Sequence, residues 1–337
     1  VALRKDGRVS RNVTKEQSAP GELCPADGPI ASKKPDWGTA ARRLQADAFI
    51  VSSAGTVQGI GSANCGRLGP EAKTDFDTPV PINGLRNITA VLAGSANSVA
   101  RDKAGQVFTF GKDVAGSLAI GSAKPDTTCE DRPANLVPKP LPELANIVSL
   151  FKGGDFTFFA VASDGGLFGW GAGGQGQFAA PDISLKQPDR PAPARVDGIK
   201  AVRSVAATAS SIHALRSDGT VWGWGLNTNG EFGDGSTAPK TRPQQVDGLA
   251  NIGQITSNQN NYVYALGSKG EVWRWGNCLA AECKLNTPVK PDIVPGLPPI
   301  RHLSPGINRV FALAEDGSVF GLYPTTVKAT DPTDYFR

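Results

Sequence analysis

Short apolar runs separated by glycine-containing turns recur along the whole chain. In residues 211–225, the runs SIHAL and VWGWG flank the pair Asp218-Gly219, which predicts two β-strands joined by a tight type I′ hairpin turn. The same arrangement recurs six more times, and neighbouring turn glycines are 47–60 residues apart by subtraction of their numbers. The seven turn glycines are Gly7, Gly55, Gly105, Gly165, Gly219, Gly270 and Gly317. A period near 50 residues indicates a repeat architecture.

Each repeat has further parts around its hairpin. A short strand precedes the hairpin, as in 87–94, 146–153, 201–208, 251–258 and 299–306, and residues 42–49 form a degenerate version of it. A variable loop and a fourth extended segment follow the hairpin. Four short strands cannot bury both faces alone, whereas radial repetition does so. The sequence therefore predicts an all-β fold: a seven-bladed β-propeller of four-stranded blades, in one domain spanning 1–337. A linear solenoid is the alternative.

The two ends of the chain bear on how the ring closes. The first repeat begins at its hairpin, and the last runs past its hairpin into the segment PTTVKATDPTDYFR. We expect the N- and C-terminal segments to pair and share one blade. The alternative is that the missing strand lies upstream of Val1.

Residues 196–249 resemble a repeat of the regulator of chromosome condensation family. They carry VDGI, the strand SVAAT, HALRSDGTVWGWG and NTNGEFGDG in the order of the family pattern. The resemblance is good at 145–198 and 250–297 and weaker in the first two units. It implies a seven-bladed propeller. It does not fix an activity, since members of the family range from nucleotide-exchange factors to enzyme inhibitors and adaptors.

Composition narrows the class of protein. The chain has 40 Gly and 26 Pro, about a fifth of its 337 residues, which suits strands and turns. No apolar run approaches 18 residues, so we expect no membrane insertion. The net charge is only +4 with scattered Lys and Arg, so we expect no nucleic-acid partner. The absence of Met and the start at Val1 predict a processed chain whose signal peptide was removed, with a trimmed chain as the alternative.

The five cysteines all fall in loops after a hairpin. Cys278 and Cys283 are close enough in sequence for a local disulfide, and Cys65 could reach Cys24 or Cys129 on a neighbouring blade. The spacing does not match a metal site, so we expect no metal. Disulfides predict an extracellular, periplasmic or cell-surface protein. The fifth cysteine would be a free thiol or form an intermolecular bond.

Three loops are long, at 10–42, 112–140 and 172–195, and all leave the same strand of their blade. They should project from one face, which makes that face the candidate surface for a protein partner. Drift of surface loops without function is the alternative reading. The candidate partner-binding residues in these loops are Trp37, Asp126, Glu130, Asp131, Gln175, Gln177 and Asp182.

Signals for catalysis are weak. His213 and His302 lie in strands and are expected to be structural. The run GAGGQGQF at 171–178 follows a strand but precedes no predicted helix, so it indicates a turn and not a dinucleotide site. Glu231 and Asp234 belong to the repeat. We therefore expect no catalytic residues and no cofactor.

The tryptophans recur on one strand of the repeat. Trp170, Trp222, Trp224, Trp273 and Trp275 are expected to pack between blades, with an exposed binding platform as the alternative.

Three functions remain open from the sequence. The preferred hypothesis is a non-catalytic protein-binding scaffold, a subunit of a secreted or cell-surface assembly. The second is a proteinaceous enzyme inhibitor, as in the β-lactamase-inhibiting propeller that the family resemblance brings with it. The third is a regulator that acts like a guanine-nucleotide exchange factor. A lyase or glycosidase on a propeller is a fourth, weaker alternative.

Overall fold

The computed structural model describes most of the repeats and confirms an all-β fold. The described residues are 2–3, 9–10, 48–61, 66–68, 76–121, 134–179, 188–209, 211–258, 261–276, 289–306, 309–322 and 326–328. Every regular element within these residues is a β-strand except for short turns. We number the repeats as units 1–7 after their turn glycines.

The strands group into one hairpin and six antiparallel sheets. Unit 1 contributes β1 (Ala2–Leu3) and β2 (Val9–Ser10). Unit 2 contributes β3 (Ala48–Val51), β4 (Val57–Gly61) and β5 (Phe76–Pro81). Unit 3 contributes β6 (Ile88–Ala93), β7 (Asn97–Asp102), β8 (Val107–Lys112) and β9 (Ala134–Leu141). Unit 4 contributes β10 (Ile147–Lys152), β11 (Thr157–Ala162), β12 (Leu167–Gly171) and β13 (Arg190–Arg195).

Each of the last three units also contributes four strands. Unit 5 contributes β14 (Val202–Ala207), β15 (Ser211–Arg216), β16 (Val221–Gly225) and β17 (Lys240–Gln245). Unit 6 contributes β18 (Ile252–Ser257), β19 (Tyr262–Gly267), β20 (Val272–Gly276) and β21 (Val289–Ile293). Unit 7 contributes β22 (Ile300–Pro305), β23 (Val310–Ala314), β24 (Val319–Leu322) and β25 (Thr326–Lys328). In units 3–7 each strand pairs with the next along the chain, which confirms the predicted order.

Unit 1 is described only as a hairpin, but its register is that of a complete unit. Ala2 faces Ser10 and Leu3 faces Val9, just as Ala214 faces Trp222 and Leu215 faces Val221 in unit 5. The described residues thus form six sheets of three or four strands besides the unit 1 hairpin. The count of seven complete blades and the closure of the ring by the chain ends stay predictions. The sequence predicted a degenerate strand before the hairpin of unit 2 at residues 42–49. Of these, 42–47 are outside the described residues, and 48–49 belong to the hairpin strand β3 itself.

The hairpin turns of units 2–7, which lie within the described residues, are not of the predicted type I′, which would need a positive φ at both central residues. In unit 5 only Gly219 has one, at 79°. The Gly219 N–H donates to the Arg216 carbonyl (3.0 Å), and the Arg216 N–H donates to the Thr220 carbonyl (2.9 Å). This is a three-residue loop with glycine in the left-handed region, and the same N–H bond recurs at Gly55, Gly105, Gly165, Gly270 and Gly317. The glycine prediction was right; the turn type was wrong.

The turn glycines also join consecutive units. The carbonyl of Gly219 accepts a hydrogen bond from the N–H of Ile252, the first residue of the next inner strand (3.1 Å). Equivalent bonds run from Ile88 to Gly55, Ile147 to Gly105, Val202 to Gly165 and Ile300 to Gly270. A Cβ at Gly165 would lie 2.7 Å from the Cα of Ala201. The position therefore requires glycine for close approach as well as for its φ.

In units 3–6 the residue before the inner strand is left-handed as well. Asn87, Asn146 and Asn251 have φ of 53–56°, and Ala201 takes the same conformation at 54°. Asparagine tolerates this region, whereas alanine is strained in it.

We therefore expect Ala201→Asn to raise the free energy of unfolding by about 0.5–1 kcal/mol, because it relieves the left-handed alanine. Urea unfolding midpoints measure this. Ala250→Asn, at an exposed position of the next connector without a positive φ, is the control and should be neutral. Equal effects of the two substitutions would contradict the strain argument.

The apolar cores lie between consecutive sheets. One cluster joins Phe159 and Val161 of unit 4 to Ile212, Ala214 and Trp224 of unit 5. Four more clusters join units 2–3, 3–4, 5–6 and 6–7 in the same way. Sheets packed face to face in series are the arrangement of propeller blades. Outer strands carry proline at one shared position, which blocks edge pairing: Pro79, Pro138, Pro193, Pro243 and Pro291.

Candidate protein-binding surface

The strand order puts the variable loops on one side of the molecule. In a sheet with antiparallel order 1-2-3-4, the first turn and the loop between the third and fourth strands lie at the same end of the strands, and the hairpin turn lies at the opposite end. We call these two ends the loop face and the hairpin face, respectively. Neighbouring units are bonded on the loop face: Arg67 Nη1 donates to the Ser95 carbonyl (2.8 Å), and Ser95 N–H to the Asp155 carbonyl (3.2 Å).

The loop at 226–239 shows how a loop of this face is built. Asn227 Oδ1 accepts the Phe232 N–H (3.0 Å), and its Nδ2 donates to the carbonyls of Ser236 (2.9 Å) and Ala238 (3.0 Å). The carboxylate of buried Glu231 accepts the N–H of Asn229 (2.9 Å). Asp234 forms an ion pair with Lys240 at 2.6 Å. Glu231 and Asp234 thus order the loop, as expected of repeat residues.

Asn227 is a residue that the sequence analysis missed. Its signal was the spacing of five to the buried Phe232, which Asp113 and Leu118 repeat in unit 3, where the Asp113 carboxylate accepts the Leu118 N–H (2.8 Å). Removing the side chain leaves one N–H and two carbonyls without their bonds.

We expect Asn227→Ala to lower the free energy of unfolding by about 2 kcal/mol, since several partly buried polar groups lose a partner. Thr228→Ala, at the exposed neighbour, should change it by less than about 0.5 kcal/mol. Guanidinium unfolding of both variants checks this. A neutral Asn227→Ala would mean that the loop holds its shape without this side chain.

Two of the predicted partner-binding residues are described: Gln177 is buried and Gln175 is half-buried. Gln177 is 8% exposed, and its Oε1 accepts the N–H of half-buried Gln175 (2.8 Å), as Glu231 does for Asn229. Gln177 thus orders its own loop and offers little side-chain surface. Trp37, Asp126, Glu130, Asp131 and Asp182 lie outside the described residues, so their role stays a prediction. All five cysteines, Cys24, Cys65, Cys129, Cys278 and Cys283, lie there too.

Buried tryptophans fix these loops to the next unit. Trp170 Nε1 of unit 4 donates to the Ser117 carbonyl in the unit 3 loop (3.0 Å). Trp224 Nε1 of unit 5 donates to the Gln177 carbonyl in the unit 4 loop (2.7 Å). Trp224 and Trp275 are 0% and 1% exposed, and Trp222 and Trp273 pack partly buried on the same sides. The expectation that the tryptophans pack between units is confirmed for this strand, and they form no exposed platform.

The loop of unit 5 is bonded by His213 of its own unit, where the loops of units 3 and 4 are bonded by a tryptophan of the next unit. The Nε2–H of His213 donates to the Glu231 carbonyl (2.9 Å), the carbonyl equivalent to those of Ser117 and Gln177. Its ring packs against Phe232 and edge-on to Trp275, at centroid distances of 5.8 and 6.0 Å. Burial lowers the pKa of His213 to about 4, so the ring is neutral at pH 7. His213 is therefore structural, whereas His302 is exposed on the inner strand β22.

Among the described residues, the exposed part of the loop face is mostly polar and small. It includes Gly174, Thr228, Gly235 and one partly exposed apolar side chain, Ile120 at 38%. The run 171–178 forms a turn with Gly171 and Gly176 at positive φ, and within the described residues no helix follows it. Within the described residues, no group of three His, Cys, Asp or Glu side chains could hold a metal ion. No helix among them is long and apolar enough to cross a bilayer.

Comparison with known proteins identifies the repeat. A family model described as "Regulator of chromosome condensation (RCC1) repeat" matches residues 218–258. A second family model with the same description matches residues 202–231. The ultraviolet-B receptor UVR8 of Arabidopsis thaliana is 28% identical over 223 residues, 64% of this chain and 48% of that protein. The probable E3 ubiquitin-protein ligase HERC6 of Homo sapiens is 30% identical over 237 residues, 68% of this chain and 22% of that protein.

Solved structures agree on the fold. Yeast RCC1 (Prp20), solved bound to Kap60, superposes with a TM-score of 0.64 at 20% identity and covers 84% of this chain and 73% of that one. Human WBSCR16 has the same TM-score and identity, with 80% and 70% coverage. The architecture is thus a β-propeller of the RCC1 type. Residues 202–258 match RCC1 repeats, and the similarity to UVR8 extends over a longer part of the chain.

Proposed function

We propose that this protein is a non-catalytic protein-binding scaffold that engages its partner through the loop face. The observation that carries the proposal is the way the loops are held. The described loops of units 4 and 5 are ordered by their own polar side chains, such as Gln177 and Asn227, and the loops of units 3 and 4 are each bonded to a buried tryptophan of the next unit. Rigid loops of differing sequence on a stiff frame lose little entropy on binding, which favours recognition.

The comparisons support a binding or regulatory role without naming a partner. Proteins with RCC1-like repeats act in protein binding or as exchange-factor-like regulators, and the yeast protein Prp20p is described with its binding to Gsp1p and histones. The chain spans about half the length of UVR8 and 5% of the E3 ubiquitin-protein ligase HERC2. The activities of those whole proteins are therefore not assigned to this chain.

The finer proposal is a subunit of a secreted, periplasmic or cell-surface assembly, built as one propeller domain over residues 1–337. It rests on the cysteines, each of which follows a hairpin in sequence and is therefore expected in a loop-face connection. Disulfides Cys278–Cys283 and Cys65 with Cys24 or Cys129 would cross-link that face.

The binding face is tested with a matched pair of variants. Thr228 and Ser217 are exposed hydroxyl residues of one unit, on the loop face and the hairpin face respectively. The partner is first identified by cross-linking of the native complex. We expect Thr228→Arg and Ile120→Arg to weaken binding of that partner at least tenfold, and Ser217→Arg to leave it unchanged. Loss of binding only with Ser217→Arg would assign the opposite face.

The compartment is tested by intact mass before and after reduction and thiol alkylation, together with size in solution. Two disulfides and a co-purifying partner are the expected result. Five free thiols in a lone monomer would contradict the exported scaffold. Nucleotide release from a small GTPase would then be the assay to run, because the exchange-factor hypothesis would take precedence.

A further inference from the structure

The chain contains two Asn-Gly pairs, which the structure surrounds in different ways. Asn83-Gly84 lies in the connector 82–87 between β5 and β6, and Asn229-Gly230 lies in the loop after β16. In such a pair the glycine has no side chain to keep its backbone nitrogen away from the asparagine amide, so the asparagine is chemically labile. The two pairs are alike in sequence. A difference in their reactivity must therefore come from the folded structure.

The Asn229-Gly230 pair is held by hydrogen bonds at each of its reacting groups. The Asn229 Nδ2 group donates to Thr228 Oγ1 (3.2 Å) and to Glu231 Oε1 (2.9 Å). Its backbone N–H donates to Glu231 Oε2 (2.9 Å), and the Gly230 N–H donates to the Asn227 carbonyl (3.1 Å). Asn229 is half-buried and Gly230 is buried. Several of these bonds must break before the Gly230 nitrogen can approach the asparagine side chain.

The Asn83-Gly84 pair lacks these restraints. Both residues are exposed. Within the part of the chain that the structure describes, neither the Asn83 amide nor the Gly84 N–H makes a hydrogen bond. A Cβ placed on Gly84 would have its nearest neighbour, Pro138 Cδ, at the ordinary contact distance of 3.5 Å. The pair can therefore change its conformation without breaking a hydrogen bond or meeting a close neighbour.

An aspartate in place of Asn83 would fit the connector as it stands. The connectors of units 4 and 5 carry Asp197-Gly198 and Asp247-Gly248 where that of unit 2 carries Asn83-Gly84. In all three connectors the pair stands between two buried apolar residues, and its glycine has a φ of 80–88°. Both aspartates are exposed. Conversion of Asn83 to aspartate thus reproduces a connector that the protein already has in two other units.

We propose that Asn83 is a site of spontaneous covalent modification, by deamidation. The Gly84 nitrogen loses its proton to solvent and attacks Cγ of Asn83. The bond from Cγ to Nδ2 breaks, and ammonia leaves with a proton from solvent, which gives a cyclic succinimide. Water then adds to one of the two imide carbonyls, and the ring opens to aspartate or isoaspartate. The net reaction consumes one water, releases one ammonium ion and lowers the net charge of the chain by one.

The modification site lies away from the proposed binding surface. The connector 82–87 joins an outer strand to the next inner strand, so it lies on the hairpin face, at the opposite end of the strands from the loop face. Two charge forms of the protein then coexist, and the loop face is the same in both. The proposal is therefore independent of the proposed function.

The site is tested by a time course on the natural protein at neutral pH and body temperature. Samples are digested at mildly acidic pH, and tandem mass spectrometry measures the conversion of amide to acid in each peptide. We expect Asn83 to convert about tenfold faster than Asn229 or more, since breaking one or two ordinary hydrogen bonds costs that factor. In the urea-unfolded chain the two rates should be equal within about twofold.

Three outcomes of the time course would overturn the proposal. The first is equal conversion of the two asparagines in the folded protein, or faster conversion of Asn229. The second is an unmodified Asn83 over a period in which the unfolded chain converts. The third is an equally large difference between the two rates in urea, because the local sequence and not the fold would then be its cause.

Two variants at the same position separate the site from its product. Asn83→Gln keeps the amide but would need a larger, more slowly formed ring, so we expect it not to accumulate the acidic form on ion exchange. Asn83→Asp should elute with the acidic form of the natural protein, and its midpoint of thermal unfolding should shift by less than about 1 °C. An acidic form that accumulates equally in Asn83→Gln would place the reaction elsewhere. A marked loss of stability in Asn83→Asp would contradict the fit of the aspartate.

Discussion

Trp224→Ala is expected to lower the free energy of unfolding by about 3–5 kcal/mol. The indole is fully buried between units 4 and 5, where it packs with Phe159 and Val161. Its Nε1–H also fixes the unit 4 loop through the Gln177 carbonyl (2.7 Å). The substitution therefore opens a cavity and leaves a buried carbonyl without its donor. Chemical unfolding followed by fluorescence and circular dichroism measures the loss.

Trp222 is the control for this prediction. It lies two residues away on the same side of the same strand, but it is partly exposed and its Nε1–H bonds only to the Thr220 hydroxyl (3.1 Å). Trp222→Ala should cost less than half as much as Trp224→Ala. If the two variants lost equal stability, the buried tryptophan would not be the element that joins the units.

The second large effect is a loss of stability in acid caused by His213. Burial lowers the pKa of His213 from 6.5 to about 4, so between these values the unfolded chain binds a proton that the folded protein does not. Stability from this residue is fully present above about pH 6.5 and is lost as the pH falls toward 4. The difference amounts to roughly 3 kcal/mol at 1.36 kcal/mol per pKa unit.

His213→Phe separates this residue from other acid-sensitive groups. Phe159 occupies the equivalent position in unit 4, so an aromatic ring without a titrating nitrogen fits the site. We expect the free energy of unfolding to fall more steeply between pH 7 and pH 4 in the natural protein than in the variant. Parallel pH profiles would show that His213 does not titrate on unfolding.

Several features of the fold followed from local chemistry and could be predicted. Glycine at each hairpin is required because the turn needs a left-handed residue, and the alternation of small and aromatic residues in VWGWG marks a strand with one closely packed side. The turn type was wrong because Asp-Gly suits both two-residue and three-residue loops. In the three-residue loop of unit 5, the Gly219 carbonyl accepts a hydrogen bond from the Ile252 N–H of the next unit, a contact that the local sequence does not show.

The sequence could predict only that the candidate surface is the loop face, at one end of the strands. Strand order decides which loops share a side, so the loop face followed from the sequence. The sequence did not show which residues of that face are exposed to a partner. Gln177 looked like a surface residue of a long loop, yet its side chain closes its own turn and its carbonyl holds Trp224. For Gln177, nothing in the sequence showed whether the side chain faces solvent or the loop backbone.

The sequence by itself determined the repeat, its strand order and the glycine positions, because these depend on contacts within about 50 residues. Tertiary structure decided which side chains join one unit to the next. The same strand position holds Phe159, His213 and Tyr264 in successive units, and only the neighbouring sheet makes His213 neutral and bonds it to Glu231. Burial between sheets depends on partners far apart in the chain, so no local pattern encodes it.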